Sequence, residues 1–236
     1  MCRVGVFDSG IGGLTVIEEL KKELPKEDFL FYEDSLNNPY GEKDNETIKK
    51  IVENIVEYLI GQGCKIIVIA CNTVTTVCIS YLRNKYKNIV FIGTEPAIKL
   101  ACDKGYENVL VMATPATIAS ERVNVLITNS KKDFENIYLV PCDGLANAIE
   151  VGDILRQEEL IHSIYESYND KNINAIVLGC THYPMAKKII TKYFKNVDLL
   201  DGSNGVAREC KRQMLLHNLI TNKGNGDVLI INSKDR

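Results

Sequence analysis

The sequence has no apolar run long enough to cross a lipid bilayer, for which a helix needs about 20 residues. It has no signal-peptide pattern either, since Asp8 and a glycine-rich stretch interrupt the first apolar residues. We therefore expect no membrane partner and a cytoplasmic location. Basic residues form no dominant stripe and the formal net charge is -3, so we expect no nucleic-acid partner.

No two of the 8 cysteines have the Cys-x-x-Cys spacing of zinc ribbons and thioredoxin-like proteins. Cysteines and the 3 histidines do not gather at the spacing of metal ligands, so we expect no metal. His162 and His217 lie in helix-like stretches and are predicted to be ordinary surface residues. Most cysteines of such a chain are buried and inert. We predict this for Cys64, Cys78, Cys102 and Cys210.

Short β-rich runs alternate with longer segments of helical periodicity. Asn45–Ile60 has apolar residues at helical spacing, and Gly61 and Gly63 follow as stop signals. Lys65–Ala70 is nearly continuously apolar, which is typical of a strand buried in a parallel sheet. The alternation predicts an α/β fold with mainly parallel sheets covered by helices on both sides. The other predicted strands are Val4–Phe7, Phe29–Glu33, Ile89–Gly93, Asn108–Ala113, Asn136–Pro141, Asn174–Gly179 and Val197–Gly202, and the other predicted helices are Leu14–Leu24 and Ala97–Gly105.

Two segments share one plan: Ile66–Thr73 reads IIVIACNT and Ala175–His182 reads AIVLGCTH. Each is a buried strand followed by a small residue, a cysteine and polar side chains. The repeat suggests two α/β units, each with a thiol at the carboxyl end of a strand. Ligands of open α/β sheets bind outside those ends.

Phe7–Val16 (FDSGIGGLTV) predicts a strand that ends at Asp8 and a glycine-rich turn that opens a helix. The segment lacks both the G-x-G-x-x-G pattern and a Walker lysine, which disfavours a nucleotide site. A carboxylate at the end of a buried strand serves an active site or caps the next helix. Further on, Asn37–Ile48 predicts a tight loop at Pro39-Tyr40-Gly41 and a helix start near Asn45, which a surface loop would also show.

Cys71 and Cys180 are each predicted to follow a strand and precede a helix, where free N–H groups and the helix dipole favour a thiolate. His182, two residues after Cys180, can tune or reprotonate that thiol. Two thiols at one carbon suit racemisation, because the α-proton leaves one face and another arrives on the opposite face. Such a site must also stabilise carbanionic charge and exclude water.

Five segments resemble bacterial glutamate racemases of the aspartate/glutamate racemase family in order and spacing. The resemblance runs from Val4 to about Cys210 and is carried by FDSGIGGLTV, PYGEKDNETI, ACNT, ATPATIAS and LGCTHYP.

The resemblance implies two similar α/β domains with the active site in the cleft between them, residues 1–95 plus 204–236 and residues 96–203. It implies Cys71 and Cys180 as catalytic thiols, assisted by Asp8 and His182, with Glu150 supporting His182. The implied substrate-binding residues are Asp8, Ser9, Tyr40, Gly41, Asn72, Thr73, Thr114, Thr117, Thr181 and His182.

The expected reaction interconverts L- and D-glutamate without a cofactor and supplies D-glutamate for peptidoglycan. The expected partner is a small acidic amino acid, and a homodimer is also expected.

Three positions depart from the family pattern: Val74 replaces a small residue, Asp44 replaces a serine, and Asp227–Asp235 resembles the last strand without the closing helix. Val74 would narrow the pocket, so an aspartate or mixed aspartate/glutamate racemase is one alternative. A glutamate-binding regulatory protein without turnover is an alternative of another class.

Overall fold

The computed structural model describes residues 3–130 and 136–235, and contacts divide the chain into two units. Unit 1 runs up to Thr94 and resumes at Ser203, and unit 2 is Glu95–Gly202. The chain therefore passes between the units after Thr94 and after Gly202.

Strands and helices alternate throughout, as the sequence predicts. The strands are β1 (Val4–Asp8), β2 (Phe29–Glu33), β3 (Ile66–Ile69), β4 (Val90–Gly93), β5 (Asn108–Ala113), β6 (Asn136–Pro141), β7 (Ala175–Leu178), β8 (Asp198–Asp201) and β9 (Val228–Asn232). The α-helices are α1 (Leu14–Glu23), α2 (Asn45–Gly61), α3 (Asn72–Lys85), α4 (Ile98–Asp103), α5 (Pro115–Ile118), α6 (Glu121–Ser130), α7 (Leu145–Glu150), α8 (Ile154–Tyr168), α9 (Lys187–Tyr193) and α10 (Ser203–Leu216).

Unit 1 contains a five-stranded sheet in the order β4-β3-β1-β2-β9, and all its strand pairs are parallel. Alternate strand residues point to opposite faces. Phe7, Leu30 and Ile67 pack in one apolar layer with α2 and α3. Val6 and Val68 pack in the opposite layer with α1 and α10. Each fully buried aliphatic or aromatic side chain of these layers contributes about 1.5–3 kcal/mol to folding.

Unit 2 contains a four-stranded parallel sheet in the order β6-β5-β7-β8. Leu110 and Ile176 pack in one layer with α7, α8 and α9. Val111 and Val177 pack in the opposite layer with α4 and α6. The predicted fold of two α/β units with parallel sheets and helices on both faces is confirmed.

The two sheets share a strand order. If the first four strands of each unit are counted along the chain, both sheets read second-first-third-fourth, and unit 1 adds β9 outside its second strand. The first and third strands are adjacent, and the connections that follow them run to opposite sides of that position in the sheet. Each sheet therefore has a topological switch point between its first and third strands.

Most predicted boundaries are within one residue of the observed ones, and three details differ. The first strand continues one residue beyond the apolar run Val4–Phe7 and ends at Asp8, which pairs in register with Glu33. Gly61 is the last residue of α2 and does not stop it; the left-handed residue after the helix is Gly63, with a φ of 85°. His217 lies one residue beyond α10, while His162 lies within α8, and both are exposed as predicted.

Candidate active site

Both candidate catalytic thiols lie just beyond the carboxyl end of the third strand of their sheet. Cys71 follows β3, which lies beside β1, and Cys180 follows β7, which lies beside β5. Each thiol is therefore at the switch point of its own sheet, where α/β proteins bind ligands. Asp8 ends β1, and Thr114 comes directly after β5, so each thiol has a polar residue on the neighbouring strand.

In unit 1, Cys71 is the N-cap residue of α3 and is only 6% exposed. Its Sγ lies 3.9 Å from Ser9 Oγ. Asp8 is completely buried at the end of β1, and Ser9 is also buried. The structure thus brings Ser9 to the Cys71 thiol and places Asp8 at the end of the neighbouring strand. The thiol lies at a helix N-terminus, where first-turn N–H groups favour negative charge.

The first turn of α3 contributes Asn72 and Thr73, and both side chains are buried. Asn72 Oδ1 has no hydrogen-bond partner among the described residues. A buried amide oxygen without a partner costs about 1–3 kcal/mol, and a ligand group that donates to it removes this cost. Asn72 therefore has the chemistry of a ligand-binding residue.

Tyr40 is 1% exposed, and its hydroxyl donates to Asp34. Burial first, and then the carboxylate of Asp34, raise the pKa of Tyr40 well above its usual value, with smaller contributions from Cys71 and Asp8. Tyr40 is therefore a protonated, buried phenol near the Cys71 thiol.

Asp34, which is 1% exposed, was not predicted as a site residue from the sequence. It accepts from Asn37 Nδ2 at 3.0 Å, and its backbone N–H donates to Asp8 O at 3.0 Å. Its signal was available, because this carboxylate directly follows β2 in the way that Asp8 ends β1.

Gly41 lies in the short 3-10 helix Tyr40–Glu42 and is half-buried. Downstream, Asp44 is the N-cap of α2 and accepts from the backbone N–H groups of Glu46 and Thr47. Asp and Ser are both good N-caps, so this departure from the family pattern preserves the cap.

In unit 2, Cys180 Sγ lies 3.7 Å from His182 Nδ1. The other ring nitrogen, His182 Nε2, lies 2.6 Å from Glu150 Oε2. His182 is 2% exposed and Cys180 8% exposed, so the pair has little contact with solvent. An anionic Glu150 that accepts the Nε2 proton leaves Nδ1 as an acceptor facing the thiol.

The predicted helix after Cys180 differs from the observed structure. A 3-10 helix of four residues, Tyr183–Ala186, comes first, and α9 begins only at Lys187. Pro184 has no N–H and cannot donate a helical hydrogen bond, which suits a short first turn. The helix dipole thus acts less directly on Cys180 than on Cys71, and His182 is the polar side chain that contacts the Cys180 thiol.

The predicted threonines of unit 2 follow the carboxyl ends of two neighbouring strands, β5 and β7. Thr114 caps α5, and its hydroxyl donates to the Thr117 hydroxyl at 2.9 Å. Thr181 directly follows Cys180, and Thr117 and Thr181 are buried. Met112 pairs with Leu178, so Thr114 and Cys180 each lie two residues beyond this pair on neighbouring chain segments.

Of the four cysteines predicted to be buried, Cys64, Cys78 and Cys210 are buried, and Cys102 is half-buried. The prediction is wrong for Cys102 because α4 turns Ile98 and Ala101 to the core, leaving residue 102 at the side of the helix. Burial raises the pKa of Cys78 and Cys210 to about 12, so these thiols stay protonated and unreactive at neutral pH. Cys2 lies outside the described residues.

Cys142 is a further buried thiol close to Cys180. Burial, with a smaller contribution from Cys180, raises the pKa of Cys142 to about 12. The fully buried Tyr183 donates to Cys142 O at 3.3 Å. Cys142 therefore belongs to the neutral packing around Cys180.

The described part of the chain contains no group of three His, Cys, Asp or Glu side chains that could hold a metal ion. Among the residues that the structure describes, no helix is both long and apolar enough to span a membrane.

Sequence and structure comparisons identify relatives over nearly the whole chain. Residues 17–210 match a family described as Asp/Glu/Hydantoin racemase. A glutamate racemase of Clostridium novyi (strain NT) is 42% identical over 98% of this chain and 91% of its own length. The glutamate racemase of Clostridium acetobutylicum is 39% identical with the same coverage.

A crystal structure of glutamate racemase from Francisella tularensis subsp. tularensis SCHU S4 in complex with D-glutamate is 32% identical to this chain. It matches with a TM-score of 0.84 over 98% of this chain and 88% of that one. An aspartate racemase of Picrophilus torridus, at 19% identity and a TM-score of 0.61, shares the fold alone. The resemblance drawn from the motifs is confirmed: the chain belongs to the Asp/Glu/Hydantoin racemase family.

Proposed function

We propose that this protein racemises glutamate, with Cys71 and Cys180 as the acid and base at the α-carbon. The observation that carries the proposal is the repeated placement of a buried thiol at the switch point of two sheets with one strand order. The names of the relatives at about 40% identity support glutamate as the substrate.

In the proposed reaction, one cysteine acts as thiolate and removes the α-proton. The electron pair stays on the α-carbon, and the other cysteine, as thiol, delivers its proton to the opposite face. The configuration is inverted, and the two sulfurs end with their protonation states exchanged. The thiol/thiolate pair supplies both the acid and the base, so we propose a reaction without a cofactor.

Each thiol has a different assisting group. Asp8 is buried at the end of β1 near Cys71, and we propose that its carboxylate assists this thiol. His182 lies 3.7 Å from Cys180, and we propose that it exchanges a proton with that thiol while Glu150 fixes its tautomer.

For substrate binding, we propose the buried polar residues around each thiol. In unit 1, Ser9, Asn72 and Thr73 offer hydroxyl and amide groups beside the N-terminus of α3, which favours a carboxylate. Asn72 Oδ1 can accept from the substrate ammonium. In unit 2, Thr114, Thr117 and Thr181 supply hydroxyls. Tyr40 and Gly41 complete the proposed set from the loop after β2.

Glutamate is favoured over aspartate by the position of Val74. The Val74 side chain is completely buried in the apolar layer with α2 and α3. The core therefore accommodates valine, which is larger than the usual family residue at this position. Turnover of both acidic amino acids tests this choice, and a preference for aspartate would replace glutamate as the proposed substrate.

The test of racemisation is deuterium uptake at the α-carbon of L- and D-glutamate in heavy water, without added cofactor. Cys71→Ser and Cys180→Ser should each abolish interconversion, while Cys102→Ser, on α4, should keep it. Full interconversion by both serine variants would rule out the two-thiol mechanism. Tight glutamate binding without deuterium uptake by the wild type would instead favour a regulatory binding protein.

We further propose a cytoplasmic role in supplying D-glutamate to peptidoglycan. Among the described residues, Cys78, Cys142, Cys180 and Cys210 form no disulfide, which is expected in a reducing compartment. Depletion of the protein in its host should create a requirement for external D-glutamate. A homodimer is also proposed, and sedimentation measures it.

A further inference from the structure

We propose that Thr75 and Thr94 are positioning residues that hold Cys71 in place. The inference rests on the proposed function, because it takes Cys71 as a catalytic thiol. Neither threonine belongs to the predicted substrate-binding set, and both are buried, at 0% and 5% exposure.

The hydroxyls of Thr75 and Thr94 connect three backbone segments next to Cys71. Thr94 Oγ1 donates to Ile69 O at 2.9 Å, at the last residue of β3. The Thr94 backbone N–H donates to Thr75 Oγ1 at 3.0 Å, in the first turn of α3. The Thr75 backbone N–H donates to Cys71 O at 2.9 Å. The end of β3, the residue after β4 and the first turn of α3 are thus fixed around the two-residue segment that carries the thiol.

These bonds begin where the sheet ladder ends. β3 pairs with β4 up to Ile69 and Gly93, and Thr94 is the next residue. A backbone N–H beyond the ladder needs another acceptor, and Thr75 Oγ1 provides it. The threonine hydroxyls therefore extend the restraint of the sheet into α3.

Gly93 shows how closely α3 approaches β4 at this point. A Cβ on Gly93 would lie 2.5 Å from Thr75 Cγ2 and 2.5 Å from Ile79 Cδ1. The absence of a side chain lets the backbone of residues 93–94 lie directly against Thr75. This close packing leaves the first turn of α3 little room to shift, and the orientation of its N–H groups toward Cys71 is set accordingly.

The test replaces the hydroxyl of Thr94 by a methyl group of similar size, in Thr94→Val. Iodoacetamide alkylation of Cys71 is followed against pH by mass spectrometry of its peptide, and kcat and KM are measured for glutamate. We expect the pH midpoint of alkylation to rise by about half a unit, a roughly three-fold change in ionisation. We expect kcat to fall about ten-fold with little change in KM, since a 1 Å misplacement of a reacting group costs about a hundred-fold.

Two matched variants separate positioning from stability. Thr94→Ser keeps the hydroxyl and should restore the wild-type alkylation profile and kcat. Thr221→Val, in the same unit, removes a hydroxyl that donates to the buried Glu27 at 2.8 Å. It should lower the melting temperature and leave Cys71 alkylation unchanged.

A wild-type alkylation profile and kcat in folded Thr94→Val would overturn the proposal, as would an equal change in Thr221→Val. If Thr94→Val does not fold, hydrogen exchange of the Thr94 amide in the wild type decides, because rapid exchange contradicts the restraint. If the wild type does not racemise glutamate, the proposed function fails, whereas the alkylation measurements still test the positioning of Cys71.

Discussion

Replacing Glu150 by glutamine tests whether His182 depends on a charged partner to act on Cys180. Glu150 Oε2 lies 2.6 Å from His182 Nε2, and the two side chains are 14% and 3% exposed. Glutamine has nearly the same shape, so Glu150→Gln removes the charge and leaves the packing. It can also donate to Nε2, which would move the imidazole proton to Nδ1, the atom that faces the Cys180 thiol.

The size of the effect follows from the type of bond. A hydrogen bond to a charged group contributes about 1.5–3 kcal/mol, and each 1.36 kcal/mol changes a rate about ten-fold. We therefore expect kcat to fall by about 10- to 150-fold if the bond acts fully in the transition state. KM should change little, because Glu150 acts through His182.

The assay is racemisation of L- and D-glutamate over a range of pH, together with α-deuterium uptake from each enantiomer. The matched control is Glu159→Gln, which changes an exposed carboxylate on α8 paired with Arg156. It should leave kcat unchanged. A kcat of Glu150→Gln within two-fold of the wild type would refute the reasoning, because the His182–Glu150 hydrogen bond would then not contribute to the chemistry.

Two further predictions concern stability. Burial raises the pKa of Cys78, Cys142 and Cys210 to about 12 from 9.0. The contribution of these three protonated thiols to the free energy of unfolding is therefore fully present below pH 9 and is lost as the pH rises toward 12. At pH 10 the three thiols together lose roughly 4 kcal/mol of this free energy, and urea unfolding at pH 7.5 and pH 10 should show the loss. Cys210→Ala should reduce the difference between the two pH values by about a third. An unchanged difference in Cys210→Ala would contradict the assignment. Gly93→Ala should destabilise the fold by about 1–3 kcal/mol through its overlap with Thr75 and Ile79. The control Gly61→Ala, with nothing within 4 Å, should stabilise α2 by about 0.5–1 kcal/mol, and equal effects of the two alanines would contradict this account of Gly93.

The elements and the thiols were predictable from sequence because their signals are local. β2, β5 and β6 have the predicted bounds, since each is an apolar run that ends at a polar or turn residue. Cys71 and Cys180 were found because strand, small residue and cysteine are adjacent in the chain. The bounds of α5, α6, α7, α8 and α10 were not predicted; α6, Glu121–Ser130, has only two buried residues and hence a weak apolar stripe.

The supporting contacts could not be predicted, because they join residues far apart in the chain. Thr94 is 19 residues from Thr75, and His182 is 32 residues from Glu150. Glu150 was predicted from the family resemblance alone. Asp34 had a visible local signal, yet its role depends on the hydroxyl of Tyr40, which only the folded loop brings to it.

The two halves of the proposed site share a backbone plan and differ in their assisting groups, and the reaction gives a reason for both. After each proposed turnover the two sulfurs have exchanged protonation states, so each thiol must be able both to lose and to regain a proton. An ionisable group near each thiol meets that need, and Asp8 and His182 hold such groups at 0% and 2% exposure. Each sheet needs only to place a thiol at its topological switch point, and the assisting group beside that thiol can differ between the two units. The repeated strand order therefore accounts for the positions of Cys71 and Cys180, and we propose that Asp8 and the His182–Glu150 pair restore the protonation state of each thiol.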